Sequence, residues 1–248
     1  MLTYRVAEEG DLKEICELCA DAFIEYDFYR PFVSDPAKRR RFIYDLHVHC
    51  FKAEIKRKQA VVGIDEGEII TAFSLHPPGI KQAGFGEYLF TGAAMMILRY
   101  GVTPLSWFSM YDKCVAPADQ FIHSNPDVYY LEILAVRPDR QRHGIGSKDI
   151  QDYMIPYVRS KGGGYLSLIT NSVGNTKFYE SNGFKCFDHK TVPAAKTEIG
   201  NWCFKMKVDV ITDSVYSPTS FLFRRKSNKF KATEYFAENA TKYSAENV

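Results

Sequence analysis

The sequence predicts an α/β protein in which helices flank a mixed sheet, and three observations lead to that reading. Short apolar runs of strand length alternate with stretches of helical period. Gly, Pro, Asn and Asp cluster between them as turn signals. One strongly apolar run, Tyr129 to Val136, leads straight into a glycine turn and a further helix, the order of a βα unit. The chain has 248 residues, 46% hydrophobic and 25% charged, the ordinary composition of a soluble globular protein. A net charge of +2 gives no general attraction to nucleic acid or to a membrane surface, so neither is expected as a partner.

Taken in order, Tyr4 to Ala7 reads as a short strand. Asp11 then stands where it would cap a helix carrying Leu12, Ile15, Cys16, Cys19, Ala22 and Phe23. Asp35-Pro36 opens a second helix, with Phe42, Ile43, Leu46 and Phe51 on its apolar side and Arg39 to Arg41 on its solvated face. Ala60 to Ile64 and Ile69 to Leu75 form a hairpin through Asp65-Glu66-Gly67. The stretch from 79 to 128 is too long for a plain loop, and it reads as an irregular, partly helical insert that would hold an acceptor. Strand Tyr129 to Val136 follows. A helix to about Ser160 comes next, with Pro156 expected to kink it and Gly162-Gly163-Gly164 ending it. Tyr165 to Thr170 is a strand, Asn175 to Ser181 a short helix, and Phe184 to Asp188 and Trp202 to Val208 a last strand pair. Residues 1–208 thus form one domain, and 209–248 read as a C-terminal tail, partly helical or disordered, with a solvated basic cluster.

Six irregularly spaced cysteines exclude a disulfide scaffold. Cys16 and Cys19 lie at helical spacing with no second pair to complete a zinc site, and His47 and His49 would point to different helix faces, so no metal is implied. The first residues have no secretion-signal pattern, and the run from Tyr88 to Leu98 is shorter than the ~20 residues a membrane span needs, so a cytoplasmic protein is expected.

The chemistry gathers at Gln141-Arg142-His143-Gly144-Ile145-Gly146-Ser147. A helix N-terminus there exposes unpaired amides and a partial positive charge, and glycines let a bulky anion approach them closely. Arg140, Arg142 and His143 add charge around a phosphate or pyrophosphate. The dinucleotide fingerprint fails, because its third glycine position is Asp149 and the next strand carries no acid. The P-loop fails as well, since Ser147-Lys148 reverses its order.

The stretch LAVRPDRQRHGIG, with NTKFYESNGF downstream at Asn175 to Phe184, resembles the two signature segments of the GNAT superfamily of acetyl-CoA-dependent N-acetyltransferases. The resemblance covers roughly Leu2 to Val208. It implies a mostly antiparallel central sheet of six to seven strands with a large insert before the fourth. It implies that the amides of Gln141, Arg142, His143, Gly144, Ile145, Gly146 and Ser147 cradle the pyrophosphate of acetyl-CoA as co-substrate. The backbone at Leu134, Ala135 and Val136 would pair with the pantetheine arm, the Leu134 N–H lying near the thioester oxygen, while two central strands splay to make room. Asn175 would hydrogen-bond the arm, Phe178 would pack on it, and Tyr179 would protonate the departing thiolate.

Glu132 interrupts an apolar strand. By strand parity it shares a face with Leu134 and Val136, where a half-buried carboxylate could take the proton of an attacking amine or instead bind a neighbouring Arg or Tyr. Trp107, Phe108 and Tyr111 are candidates to line the acceptor pocket, and His123 to assist proton transfer. The expected activity is transfer of an acetyl group to a primary amine, that of a small molecule, by direct attack in a ternary complex. Two alternatives stand beside it: a protein N-terminal or lysine acetyltransferase, and a non-catalytic acyl-CoA-binding regulatory module. Proteins of this superfamily are often dimers, which allows a homodimer here.

Overall fold

A computed structural model describes residues 1–79 and 94–210 of the chain. The remainder of the expected insert, 80–93, and nearly all of the tail, 211–248, lie outside the described residues. Seven strands form one sheet: β1 (Thr3–Val6), β2 (Ala60–Asp65), β3 (Glu68–His76), β4 (Val128–Val136), β5 (Gly164–Thr170), β6 (Lys185–Ala194) and β7 (Thr197–Val208), in the order β1-β2-β3-β4-β5-β7-β6. Every neighbouring pair is antiparallel except β4 with β5. This is the mixed, mostly antiparallel sheet expected from the sequence. The β2–β3 hairpin turns through Glu66 and Gly67, both at positive φ, as a two-residue loop matched to the strand twist requires. The last strand pair is much longer than its apolar residues suggested, because Lys190 to Glu198 extend the hairpin with few apolar side chains.

Helices α1 (Leu12–Ala22) and α2 (Pro36–Lys56) cover one face of the sheet. Asp35 caps α2 by accepting from the Lys38 amide at 2.7 Å, and Pro36 occupies its first turn. Asp11 does not cap α1. Its carboxylate instead accepts from the Glu8 amide at 2.8 Å and from both terminal nitrogens of Arg5, at 2.6 and 2.8 Å. The arginine run on α2 also departs from expectation. Arg39 is buried, not solvated: its guanidinium donates to the carbonyls of Ile24, Val33 and Ser34 and to Glu25, which fixes the chain between α1 and α2. Arg40 pairs with Glu17 and Asp21, so it staples α2 to α1.

The described part of the insert is regular. α3 (Ala94–Tyr100) precedes α4 (Thr103–Ser124), a helix of 22 residues that contains Pro104 and Pro117. Pro104 lies in the first turn, where no amide is needed, and Pro117 is accommodated inside the helix. After β4 the chain runs through α5 (Ile145–Lys148), a π-helical turn Asp149–Met154 and α6 (Ile155–Ser160). The wide π turn places Pro156 at the start of α6, so the expected interior conflict becomes a first-turn proline. α7 (Val173–Ser181) precedes β6.

Apolar packing divides by sheet face. Val62, Ala72 and Ala135 pack with Ile15, Cys19 and Phe51 of α1 and α2. Phe73, Leu75 and Leu131 pack with Ile150, Met154 and Val158 beneath the helical run after β4. A third cluster joins α2, α4, the chain at 23–33 and the tip of the β6–β7 hairpin. Cys16 and Cys19 belong to this buried interior as free thiols.

Arg39→Ala should take the donor from the carbonyls of Ile24, Val33 and Ser34 together and lower the unfolding free energy by ~2–4 kcal/mol. Equilibrium urea unfolding is the measurement, with the midpoint falling and the slope unchanged.

Candidate active site

The site begins where β4 and β5 part. They pair only through Val128–Tyr130 against Tyr165–Ser167. Beyond that, β4 continues with β3 to Val136 while β5 continues with β7 to Thr170. Just past the last shared pair β4 carries a bulge: Leu131 lies opposite Leu75 and Ile133 opposite Ser74, which leaves Glu132 as the extra residue. A bulge bends its strand and sharpens its twist, which suits the divergence.

Two hollows occupy the opening. The first is a groove of about 630 Å³. Leu134, Ala135 and Val136 form its floor. Gln141, Arg142, Gly144, Ile145, Gly146 and Ser147 form one wall, and Asn175, Phe178 and Tyr179 of α7 the other. His143 is exposed and does not line it, so of the seven residues expected in the cradle six face the groove. Arg140, Phe23 and Tyr26 complete it. The second hollow is a cavity of about 100 Å³ behind the bulge, walled by Tyr26, Phe28, Tyr29, Trp107 and Tyr111 and bordered by Glu132. The two share Phe23, Tyr26, Leu134, Asn175 and Tyr179.

The cradle is shaped by backbone. Arg142 and Gly144 both take positive φ, turning the chain so that the first turn of α5 opens to the groove. A Cβ at Gly146 would meet the Phe178 ring at 3.1 Å, so the absent side chain is what lets α7 close against α5. The Val136 carbonyl already accepts from the Gln141 side-chain amide at 3.0 Å, so a ligand strand laid along β4 would share that acceptor.

Tyr179 is held by the end of its own helix. The Phe184 amide donates to the Tyr179 carbonyl at 3.1 Å and the Gly183 amide to that of Glu180 at 3.0 Å, with Gly183 at φ 93°. These are the two bonds of a Schellman motif, and its usual apolar contact is present as the Tyr179–Phe184 ring pair, 5.6 Å between centroids. The Asn-Gly-Phe sequence therefore sets the position of Tyr179. Asn182 adds a link that the sequence did not show: its side-chain amide donates to Ser147 Oγ at 3.1 Å and to the Phe178 carbonyl at 2.9 Å, tying α7 to the cradle. Burial, with the nearby Tyr26, raises the Tyr179 phenol above its ordinary value, so it stays protonated at neutral pH.

Glu132 requires a correction. Strand parity would place it with Leu134 and Val136, but the bulge interrupts the alternation. Leu134 packs with Phe73 and Leu131 on one face, whereas Glu132 turns to the other, where Tyr111 donates to its Oε1 at 2.5 Å. Burial raises its carboxyl, opposed by the charge of His76 and the Tyr111 hydrogen bond. Trp107 and Tyr111 line the cavity as expected candidates. Phe108 instead packs into the adjoining apolar cluster, and His123 is exposed near the end of α4. The residues that sequence reasoning missed, Phe23, Tyr26 and Tyr29, come from the irregular chain after α1. Tyr26 accepts from the Asn171 amide at 2.8 Å and shares a hydrogen bond with Thr170 at 3.1 Å, which fastens that chain to the end of β5.

Residues 101–184, which contain the cradle and Tyr179, match the model of the Acetyltransferase (GNAT) family. Solved structures share the fold at low identity. The polyamine N-acetyltransferase of Drosophila melanogaster, described as catalysing the formation of N-acetylagmatine, is 15% identical with a TM-score of 0.55, over 84% of this chain and 100% of that one. The C-terminal condensation domain of Ebony in complex with β-alanyl-dopamine is 10% identical with a TM-score of 0.62, over 84% and 99%. The PaiA N-acetyltransferase of Thermoplasma acidophilum in complex with coenzyme A is 13% identical with a TM-score of 0.51, over 84% and 99%. No curated protein sequence matches the chain. Among the described residues no group of His, Cys, Asp and Glu could hold a metal ion, and no helix is long and apolar enough to cross a membrane.

Asp149, at the start of the π turn, fastens this frame to the sheet. Tyr4 donates to its Oδ1 at 3.0 Å, and its Oδ2 lies 2.7 Å from the Thr71 hydroxyl, which also reaches the Ala135 carbonyl at 2.9 Å. Thr71 has one proton for two acceptors. Burial raises the Asp149 carboxyl to about 7, so near neutrality a share of it is protonated and can donate to Thr71. The native state therefore binds more protons than the unfolded chain between the ordinary aspartate value and about 7. Its contribution to stability is complete at low pH and declines as pH rises through that window, by up to ~1.4 kcal/mol per pH unit. Asp149→Asn keeps a donor for Thr71 and an acceptor for Tyr4. It should flatten the dependence of Tm on pH between the ordinary aspartate value and about 7, as followed by calorimetry.

Proposed function

We propose that the protein is an N-acetyltransferase that moves the acetyl group of acetyl-CoA to the primary amine of a small molecule, the amine attacking directly in a ternary complex. The observation that carries this reading is the junction of groove and cavity at Leu134, Asn175 and Tyr179. It supplies a place where a thioester arriving along the groove and an amine held in the cavity would meet. The groove fits the donor: a first-turn amide cradle flanked by Arg140 and Arg142 suits a pyrophosphate, and its length along β4 suits an extended arm. In this reading the Leu134 N–H serves the thioester oxygen, Tyr179 gives its proton to the departing sulfur, and Glu132 takes the proton of the ammonium.

The cavity favours a small acceptor over a polypeptide. It is about 100 Å³, and its walls are stacked rings: Tyr29 on Trp107 at 5.8 Å and 5°, and Trp107 on Tyr111 at 5.4 Å and 18°. Ring faces attract a cation while the carboxylate fixes its head, a combination suited to an amine with a short apolar or aromatic body. The polyamine and arylalkylamine N-acetyltransferases among the solved structures of this fold point the same way.

Release of CoA from acetyl-CoA with 2-phenylethylamine, agmatine and a peptide N-terminus as acceptors tests the function. Turnover is expected with the small amines, and turnover with the peptide alone would overturn the acceptor assignment. Tyr179→Phe should lower kcat by ~10²-fold with little change in KM for the donor. Gly144→Glu places a carboxylate in the cradle at φ 79° and should abolish CoA binding in calorimetry.

A further inference from the structure

Behind Glu132, away from the cavity, lies a buried polar cluster that the reaction as described does not use. On β3, Ser74 and His76 alternate with Phe73 and Leu75, whose side chains belong to the opposite face, so both turn toward α2. His76 stands opposite Tyr130 and Ser74 opposite Ile133, with Glu132 in the bulge between them. His76 Nε2 lies 2.8 Å from Glu54 Oε2, and the two residues are 4% and 2% exposed. Among the described residues Glu132 Oε2, His76 Nδ1, Ser74 Oγ and both ends of the Gln59 amide are buried without a hydrogen-bond partner. Buried polar atoms are nearly always satisfied, so the orphans of Ser74 and His76 on β3 and of Glu132 on the paired β4 mark a place for water.

We propose that Glu132, His76 and Glu54 form a proton relay, in which water among Glu132 Oε2, Ser74 Oγ and His76 Nδ1 carries the proton of the acceptor amine from the cavity to the imidazole. This rests on the amine-acetylating function above. The ammonium gives one proton to Glu132, which passes it through water to Nδ1 of neutral His76. Nε2–H donates to the Glu54 carboxylate, which orients the ring and stabilises the imidazolium. The freed amine lone pair forms the bond to the acyl carbon, the carbon–sulfur bond breaks, and the second nitrogen proton ends on the thiol. His76 returns its proton to solvent between turnovers. His76 and Glu54 touch no substrate; they are positioning residues that act through Glu132.

The electrostatics agree with that direction. Burial pulls the His76 imidazole down, but the hydrogen bond and charge of Glu54, followed by the charge of Glu132, outweigh it and leave the group raised. Arg57, just past α2, opposes this rise. From α4, Asp119 acts on Glu132 in the same sense as Glu54, while the Tyr111 hydroxyl opposes them. The phenol of Tyr130 is itself raised well above its ordinary value by burial and by Glu132, and so stays neutral. His47, also on α2, is buried and pulled down to about 4, so it is neutral and does not compete.

NMR titration of the histidine side chains tests the link without any substrate. The His76 signals, assigned by their loss in His76→Gln, should titrate above the ordinary histidine value and move down by about one pH unit in both Glu54→Gln and Glu132→Gln. A His76 titration indifferent to Glu132→Gln would overturn the relay. Steady-state kinetics with acetyl-CoA and 2-phenylethylamine is the second arm. Glu54→Gln should lower kcat ~10-fold or more at unchanged KM for acetyl-CoA, and shift the acidic limb of the kcat profile to lower pH, because a less basic His76 sheds its proton earlier. Glu54→Asp should restore part of both. A profile that superimposes on the parent protein's, with the melting temperature lowered, would reduce the pair to a structural role. If no amine is acetylated, the proposed function fails while the NMR arm still decides whether Glu132 and His76 share a proton path.

Discussion

The feature on which the rest depends is the short parallel pairing of β4 with β5. After three residue pairs the strands follow different partners, and the space between them is the only kind of place in a twisted sheet where backbone edges are exposed in its middle. An exposed edge normally costs the protein unmet amides and carbonyls. Here the cost is limited because β4 stays bonded to β3, β5 stays bonded to β7, and the side chains of Gln141 and Tyr26 reach back to the strand ends. The groove and the cavity are the two sides of this single opening. The Glu132 bulge sits where the strands begin to part, so one extra residue both helps turn β4 and brings a carboxylate to the cavity wall.

Much of this was legible in the chain, and the legible parts share a cause. The strand–glycine–helix junction and the Asn-Gly-Phe helix ending are local devices whose partners lie within a few residues. The positive φ of Gly144, the close approach at Gly146 and the Schellman bonds of Gly183 and Phe184 are each encoded where they act. The face of Glu132 was not legible, because a bulge leaves no compositional trace and parity counting assumes a regular ladder. Arg39 in a run of three arginines looks like a solvated face, and only the carbonyls of Ile24, Val33 and Ser34, brought back by the turn between α1 and α2, explain its burial. Tyr26 and Tyr29 lie in irregular chain with no period to follow, yet they wall the cavity.

The site also shows how one sheet divides its electrostatic labour between its faces. Under the helical run after β4, Asp149 is buried beside apolar side chains and hydrogen-bonded to two hydroxyls, and burial is the largest influence on its titration. On the α2 side, Glu54, His76 and Glu132 lie near enough to act on one another, so burial and charge oppose each other at His76 and at Glu132. The first arrangement fixes an element in place. The second sets carboxylates and an imidazole side by side in a buried layer, the arrangement that the proposed relay uses.

The stacked wall of the cavity has an optical consequence. The chain contains two tryptophans. Trp202 lies flat against His189 at 4.6 Å and 7°, whereas Trp107 stacks with the rings of Tyr29 and Tyr111 at the cavity wall. The emission of one indole thus reports on an imidazole neighbour at the edge of the fold, and that of the other on whatever enters between the aromatic walls. The protein carries its own fluorophore at the place where the acceptor would bind.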